Sequence, residues 1–257
     1  MDQKERREYL IGYLTREDPQ YRDLKIPSEE QNQKDLLRGL MNVRMPSDIG
    51  DDFLAVQDEY LKEEICSRGI TDLNDLKPLK EDLYLWRGDI TTLKCDAIVN
   101  AANSQLCGCF IPCHRCIDNA IHTYAGVQLR KKCYDIMTAQ GHEEKTGDAK
   151  ITPAYNLPCR YVIHTVGPIV YGNLRKQDED LLRSCYRSCL ELAEKHKLAS
   201  VAFCCISTGE FHFPNDIAAK IAVRTVKEFK NETRSRIKVI FNVFKETDYD
   251  IYAILLG

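Results

Sequence analysis

The spacing of apolar residues changes near residue 80 of this chain. Before that point the spacing is helical: Phe53 and Tyr60 fall on one face of segment 51–68, which starts with acidic residues and is followed by a glycine. A second, shorter amphipathic patch covers residues 36–41. We therefore predict that residues 1–78 form a helical N-terminal extension that packs on the main domain.

From about residue 81, short apolar runs alternate with longer helical stretches. The runs are rich in β-branched and aromatic residues, which favours strands; they lie at 83–86, 97–99, 161–165, 201–206 and 239–244. Helices are predicted at 118–140, 178–196, 215–230 and 249–256. Strands that alternate with helices predict an α/β domain with a largely parallel sheet over residues 79–257.

Charge and hydropathy narrow the function classes. The chain carries 36 basic and 39 acidic residues, a net charge of −3, whereas a general nucleic-acid binder usually has a basic surplus. No apolar run approaches the roughly 18 residues of a membrane span, and the charged N-terminus shows no signal-peptide pattern. We expect a cytoplasmic protein that binds neither nucleic acid nor a membrane.

Twelve cysteines are an unusual number for such a protein. In a reducing compartment cysteines are more often buried, catalytic or metal-binding than paired in disulfides. Eight of them are scattered, and we expect these to be packing residues because free cysteine is among the most buried residue types. They are Cys66, Cys95, Cys133, Cys159, Cys185, Cys189, Cys204 and Cys205.

The other four cysteines fall within ten residues, and a histidine lies among them. The cluster consists of Cys107, Cys109, Cys113, His114 and Cys116. Thiolate and imidazole are ligands that suit zinc. Four protein ligands would close a structural site, whereas three would leave a position for water or substrate. The alternative is that these are only buried or reactive thiols.

Three polar segments follow predicted strands. Gly88 permits an unusual backbone angle, and the Asp89 carboxylate could accept a hydrogen bond from a ligand amine. The alternative is that the two residues only form the turn that ends the strand. Segment 99–104 (VNAANS) carries two asparagines whose amides can orient hydroxyl groups. Segment 206–214 (ISTGEFHFP) offers consecutive backbone N–H groups ahead of a helix. Ligands of such sheets bind at the carboxyl ends of the strands, so the segments predict a phosphate-bearing ligand.

Taken together, five segments in this order resemble the macrodomain family of ADP-ribose-binding modules over roughly residues 80–257. They are GDIT at 88–91, VNAANS at 99–104, IDNAIH at 117–122, YVIHTVGP at 161–168 and ISTG at 206–209. The resemblance implies a three-layer α/β/α fold with a mixed, largely parallel sheet.

The segment before Asp118 departs from the common hydrolytic pattern. A glycine-rich catalytic loop is replaced by Cys109-x4-His114-x-Cys116, which resembles the zinc-dependent microbial macrodomains. That resemblance implies that Cys109, His114 and Cys116 bind Zn²⁺ and that Cys107 and Cys113 fall outside the ligand set.

The resemblance also implies which residues bind ADP-ribose. Asp89 and the backbone of Ile90 would bind adenine, with Phe244 stacking on the ring and Asn242 as the alternative. Asn103 would orient the distal ribose, with Asn100 as a weaker candidate. The diphosphate would lie on the backbone amides of Ser207, Thr208, Gly209, Glu210 and Phe211.

Two residues are candidates for catalysis by the same resemblance. Asn103 would position the ribose, and Asp118 would position or activate water, although an Asp at this place could also be only a helix cap. We interpret His122 and His164, which lie inside the motifs, as structural residues, and leave open whether His212 contacts the ligand.

The implied activity is that of a zinc-dependent hydrolase that removes mono-ADP-ribose from an acidic side chain of a modified protein. The subgroup's genes often neighbour a sirtuin-type transferase and a lipoylated carrier protein, which would be the modified partner. The alternatives are a non-catalytic ADP-ribose reader with a structural zinc, and a hydrolase of free O-acetyl-ADP-ribose.

Overall fold

The computed structural model describes all 257 residues. The helices are α1 (Gln3–Glu17), α2 (Glu30–Val43), α3 (Asp51–Ser67), α4 (Ile117–Ala125), α5 (Val127–Gln140), α6 (Lys176–Lys195), α7 (Asn215–Thr233) and α8 (Glu246–Leu256). The strands are β1 (Thr71–Asp72), β2 (Leu83–Arg87), β3 (Leu93–Lys94), β4 (Ala97–Ala102), β5 (Ala149–Pro153), β6 (Tyr161–Val166), β7 (Ser200–Phe203) and β8 (Lys238–Val243). None of the α-helices combines the length and the apolar character that a membrane span requires.

Six strands form the central sheet, in the order β2-β8-β7-β4-β6-β5, and β1 and β3 form a separate parallel pair. All neighbours in the sheet are parallel except β5, which runs antiparallel to β6 at one edge. Consecutive residues of β4, β6, β7 and β8 are buried, so helices cover both faces of the sheet. The predicted α/β fold with a mixed, mostly parallel sheet is confirmed.

The apolar interior is divided into two clusters. The larger one contains 48 buried residues and surrounds the sheet. The smaller one contains 10, and nine of them come from α1, α2 and α3, which pack on one another. The tenth, Val127 at the start of α5, is where this bundle meets the α/β domain. The N-terminal extension therefore has its own core and is docked on α4 and α5.

Some elements differ from the sequence prediction. The single helix expected at 118–140 is two helices, because the chain breaks at Gly126 with φ +98°. The strand expected to reach Ile206 ends at Phe203, where the chain turns into a loop. Helix α1 and strand β5 were not predicted: α1 is dominated by charged residues, and β5 lies at an edge with its residues only partly buried.

The cysteines are mostly interior, with one exception. Five of the eight scattered ones are buried and two, Cys95 and Cys205, are half-buried. The expectation is wrong for Cys66, which is exposed near the end of α3 because it lies on the outer face of that helix.

Candidate active site

The polar segments meet at one edge of the sheet. Strands β2, β8, β7 and β4 are adjacent and parallel, so their carboxyl ends lie side by side. The chain leaves these ends at Gly88, Phe244, Cys204 and Asn103. The three polar segments and Phe244 are thus brought together, as expected for a ligand site of this type of sheet.

At the β2 end, Asp89 is the N-cap of a short 3₁₀ turn, Ile90–Thr92. One carboxylate oxygen of Asp89 accepts hydrogen bonds from the N–H of Thr91 at 2.9 Å and from its hydroxyl at 2.6 Å. The other oxygen is paired with the guanidinium of Arg68, just after α3. The carboxylate is therefore held in place by the turn and by the N-terminal extension.

At the carboxyl end of β8, the structure distinguishes between the two residues predicted as candidates for stacking on adenine. Asn242 is buried and donates a hydrogen bond to the carbonyl of Gly88 at 2.9 Å, so it supports the β2 turn. Phe244 is 78% exposed, beside that turn. Of the two, only Phe244 has a side chain free to lie against a ligand.

The loop after β7, residues 206–211, has a shape that leaves backbone donors free. Its turn is closed by bonds from the N–H of Phe213 to the carbonyl of Ser207 and from the N–H of His212 to that of Gly209, both 3.0 Å. The N–H groups of Gly209 and the two residues after it have no acceptor in the chain. A Cβ on Gly209 would meet no atom within 4 Å. Such consecutive free N–H groups beside open space can bind a phosphate.

Asn100 and Asp118 form a buried pair between β4 and α4. Asn100 donates to Asp118 Oδ1 at 2.8 Å. The Asp118 carboxyl is 5% exposed, and burial raises its pKa to about 6, against the opposing effects of the Asn100 hydrogen bond and the Arg130 charge. The interpretation of Asp118 as only a helix cap is wrong, because the N-cap is Cys116, whose sulfur accepts the N–H of Asn119 at 3.4 Å.

Asn103 is half-buried at the end of β4, where it shapes the following turn. Its amide donates to the carbonyl of Gly108 at 3.1 Å, and its side-chain oxygen accepts the N–H of Gln105 at 3.1 Å. The residue therefore lies between the sheet and the cysteine-rich segment. Its contact with a distal ribose stays a prediction.

The metal-ligand loop, residues 109–116, brings the three predicted ligands together. Ligand atoms of Cys109, His114 and Cys116 all lie within 4.8 Å of one another, and Cys109 Sγ is 3.6 Å from His114 Nδ1. Burial, together with the neighbouring Cys109, raises the pKa of the Cys116 thiol. Two thiols and an imidazole that converge in this way fit a soft divalent cation, which would stabilise the thiolates.

The other two cysteines of the sequence cluster are not part of this group. Cys107 is buried and is not within reach of the three ligand atoms. The thiol of Cys113 donates to the carbonyl of Asp35 in α2, at 3.2 Å. The site therefore offers three protein ligands to a metal, and a tetrahedral ion would keep a fourth position for another ligand.

The metal-ligand loop lies against loop 206–211. His114 Nε2 is 3.9 Å from a carboxylate oxygen of Glu210. Glu210 belongs to the stretch with the free N–H groups, so the two loops lie side by side at this edge of the sheet.

A second group of possible metal ligands lies below the site and escaped sequence reasoning as a group. His122, Cys133 and His164 are all buried, and their ligand atoms lie within 4.8 Å of one another. His164 contacts Asn100 at 3.2 Å and Thr152 at 3.0 Å, and burial lowers its pKa to about 3. These contacts fit the structural role expected for His164, whereas the two ring nitrogens of His122 are buried without a hydrogen-bond partner. The sequence could not predict that Cys133 lies beside these histidines, because the helical spacing of apolar residues indicates only that Cys133 faces the core.

Comparisons with known proteins agree with this geometry. A sequence model of the family described as "Macro domain" matches residues 99–222. A protein-ADP-ribose hydrolase from Treponema medium is 58% identical over an alignment of 261 positions, which covers 100% of both chains. The chain belongs to the macrodomain family.

A second sequence relative and two solved structures give the same result. A Staphylococcus aureus (strain MSSA476) protein-ADP-ribose hydrolase is 53% identical over 97% of this chain and 94% of its own. An Oceanobacillus iheyensis macrodomain solved with ADP is 38% identical, with a TM-score of 0.63, over 70% of this chain and 93% of that one. A Trypanosoma brucei macrodomain solved with ADP-ribose is 32% identical, with a TM-score of 0.66, over 82% and 92%.

Sequence reasoning missed several residues that hold the loops of this macrodomain. Arg38 in α2 bonds to the metal-ligand loop, and Arg68 bonds to Asp89. Arg130 in α5 donates to the carbonyl of Cys109 at 3.3 Å and to carbonyls at the end of α2. Their partners are 21 to 88 residues away in sequence, so periodicity gave no signal for these contacts.

Proposed function

We propose that this macrodomain is a protein mono-ADP-ribosylhydrolase that uses one Zn²⁺ ion. The observation that carries the proposal is the three-ligand cluster, in which His114 lies 3.9 Å from the side-chain carboxylate of Glu210, a residue of the loop with free backbone donors. Two relatives that match nearly the whole chain are named protein-ADP-ribose hydrolase, which supports hydrolysis. Water is consumed, and free ADP-ribose and an unmodified side chain are released.

The proposed ligand pose follows the strand ends. Adenine lies between Asp89 and Phe244, at the β2–β8 side of the site. The diphosphate accepts hydrogen bonds from the N–H groups of residues 209–211. The distal ribose then reaches Asn103, next to the metal-ligand loop. In this pose the scissile bond is presented to the Cys109, His114 and Cys116 cluster rather than to solvent.

Three residues of the chain would hold the metal, and two would assist. Cys109, His114 and Cys116 are the ligands, and zinc with an open position supplies Lewis acidity and acidifies bound water. Asn103 orients the ribose hydroxyls. Asn100 donates to Asp118 Oδ1, and in the proposed mechanism the other oxygen, Oδ2, would accept a hydrogen bond from water or a ribose hydroxyl. Positioning supplies a large share of the rate, because two thiolates neutralise the zinc charge.

We further propose that the bond cleaved is an ester of aspartate or glutamate, and that the modified protein is a lipoylated carrier modified by a sirtuin-type transferase. The second candidate function, an ADP-ribose reader with a structural zinc, would be favoured by four protein ligands. The three-residue cluster favours the hydrolase instead.

The linkage is tested by presenting the purified protein with separate substrates. These are a protein ADP-ribosylated on glutamate, one modified on arginine, and free O-acetyl-ADP-ribose, with released ADP-ribose measured by chromatography. The proposal expects release from the glutamate-linked protein and none from the arginine-linked one. Release from O-acetyl-ADP-ribose alone would point to the free-metabolite hydrolase, and tight ADP-ribose binding without any release would point to the reader.

A further inference from the structure

One face of helix α2 follows the metal-ligand loop. Asp35, Arg38, Gly39 and Asn42 are spaced i, i+3, i+4 and i+7, so they lie on one side of the helix. Each of the four contacts the loop or packs against it. The loop that carries the ligands is thus built on an element of the N-terminal extension.

Arg38 connects to the second and third residues of the ligand set. Its guanidinium donates to the carbonyl of His114 at 3.0 Å and to the side-chain oxygen of Asn119 at 2.8 Å. Asn119 is fully buried; its amide donates to the carbonyl of Ile111, and its backbone N–H donates to the sulfur of Cys116. One arginine therefore fixes the backbone at one ligand and, through Asn119, the sulfur of another.

Asn42 and Arg130 fix the middle and the beginning of the loop. Asn42 accepts the N–H of Cys113 at 3.0 Å and donates to the hydroxyl of Thr123 in α4 at 2.9 Å. Arg130 donates both to the carbonyl of Asn42 and to that of Cys109. The end of α2 and the first ligand are therefore held by the same guanidinium.

Gly39 sets the distance between the helix and the loop. A Cβ on Gly39 would lie 3.7 Å from Pro112 Cβ and 3.9 Å from Cys113 Sγ, which is ordinary contact distance. A methyl group therefore fits, but a larger side chain would push the loop away. Cys113 itself has φ +54°, a conformation that the surrounding contacts must maintain.

We propose that this α2 face preorganises the metal site, with Arg38 and Asn42 as positioning residues. The inference rests on the proposed use of zinc. A loop already held in its bound shape loses less conformational entropy when the ion binds, so the contacts raise metal affinity. Outer contacts of this kind typically change metal affinity by about 10–100-fold. The N-terminal extension is thereby part of the active site and not only a stabilising bundle.

The first test compares Arg38→Gln with Arg6→Gln in the full chain. Arg6 is a matched control, because its guanidinium ties α1 to Glu59 and Glu63 of α3 and lies outside the loop contacts. Zinc affinity is measured by competition with a chromophoric chelator, and the Co²⁺-substituted protein gives an absorption spectrum that reports ligand geometry. We expect Arg38→Gln to weaken zinc binding about tenfold or more and to change the Co²⁺ spectrum, with Arg38→Lys intermediate. ADP-ribose affinity stays within about twofold, and Arg6→Gln leaves the metal readouts unchanged.

The second test separates positioning from folding stability. Gly39→Ala and Gly39→Leu both raise helix propensity, by roughly 1 kcal/mol relative to glycine, so neither is expected to unfold α2. Only the leucine is too large for the space beside Pro112. We expect Gly39→Leu to weaken zinc binding and Gly39→Ala to leave it unchanged.

The outcomes distinguish the inference from the function on which it rests. If the wild-type protein binds no zinc, the proposed metal use fails. If the wild type binds zinc and Arg38→Gln and Gly39→Leu bind it equally tightly with the same Co²⁺ spectrum, the metal use stands and the inference is overturned.

Discussion

At the scale of single residues, Cys116 and Asp118 show how much of the site can be predicted from the local sequence. Their spacing and the motif around them marked both as site residues, but a carboxylate at a helix start is indistinguishable from a cap in sequence. The structure gives the capping role to the cysteine sulfur and turns the aspartate inward to Asn100. Long-range partners such as Arg38 could not be predicted, because only tertiary packing brings them to the loop.

Replacing a ligand is expected to separate chemistry from binding. Cys116→Ala removes one of three metal ligands but no group in the adenine or diphosphate regions. We expect zinc content and ADP-ribose release to be lost while ADP-ribose affinity, measured by calorimetry, changes little. Cys113→Ser is the matched control, since its hydroxyl can keep the bond to Asp35 and it lies outside the ligand set. Equal loss of binding and turnover in Cys116→Ala would show that the cluster is architectural.

Gly209 tests the assignment of the diphosphate region. A side chain there meets no protein atom near its Cβ, so Gly209→Leu should fold normally. The same side chain would occupy space beside the free N–H groups, and we expect ADP-ribose affinity to fall about tenfold or more, a loss of about 1.4 kcal/mol. An unchanged dissociation constant would place the diphosphate elsewhere.

At the scale of elements, the alternation of strands and helices was readable because each buried strand is a short apolar run. The break between α4 and α5 was not, since helical spacing continues through it and a lone glycine is tolerated in many helices. At Gly126 a Cβ would lie 2.7 Å from the Gln57 amide of α3 and 2.5 Å from the Gln128 side chain. The break therefore serves the docking of the N-terminal extension.

A pair of glycine variants measures that docking. Gly141 also has positive φ, at +76°, but nothing lies within 4 Å of its Cβ position. Gly141→Ala should lower the free energy of unfolding by roughly 1 kcal/mol through backbone strain alone. Gly126, at φ +98° and ψ 169°, lies in a backbone region that only glycine adopts readily, so Gly126→Ala adds both greater backbone strain and steric conflict with Gln57, and we expect roughly 2 kcal/mol or more in urea titrations. Equal losses would show that the Gly126 contacts do not contribute.

At the scale of the whole molecule, the buried apolar residues form two clusters, and the change in pattern near residue 80 does not divide them cleanly, because Ile65 and Leu73 belong to the larger cluster and Val127 to the smaller. The sequence did not show that the N-terminal extension contacts both ends of the site, through Arg38 at the metal-ligand loop and Arg68 at Asp89. Charge and periodicity describe the N-terminal extension and the α/β domain separately, whereas these contacts depend on how the extension docks on the domain.

Global stability is expected to depend on pH through the buried histidines. His164 has an ordinary pKa of 6.5, which burial lowers to about 3 in the folded protein. The unfolded chain therefore takes up a proton that the folded one resists, so stability is lost as pH falls from 6.5 towards 3. The slope is about 1.4 kcal/mol per pH unit for this histidine.

Urea titrations of the metal-free protein between pH 6 and 5 measure that slope. His164→Gln should flatten the dependence by about 1.4 kcal/mol per pH unit, whatever its stability at neutral pH. His196→Gln, at an exposed position, should leave it unchanged. If His164→Gln and the wild type show the same slope, the burial effect on His164 is not present in solution.

The most direct test of the account is a titration of Zn²⁺ into protein verified to be metal-free, with ADP-ribose release from a glutamate-linked substrate measured at each step. We predict no release without metal and a rate that rises to a plateau at one zinc per chain. Full activity of the metal-free protein would contradict the central claim that Cys109, His114 and Cys116 form the catalytic centre.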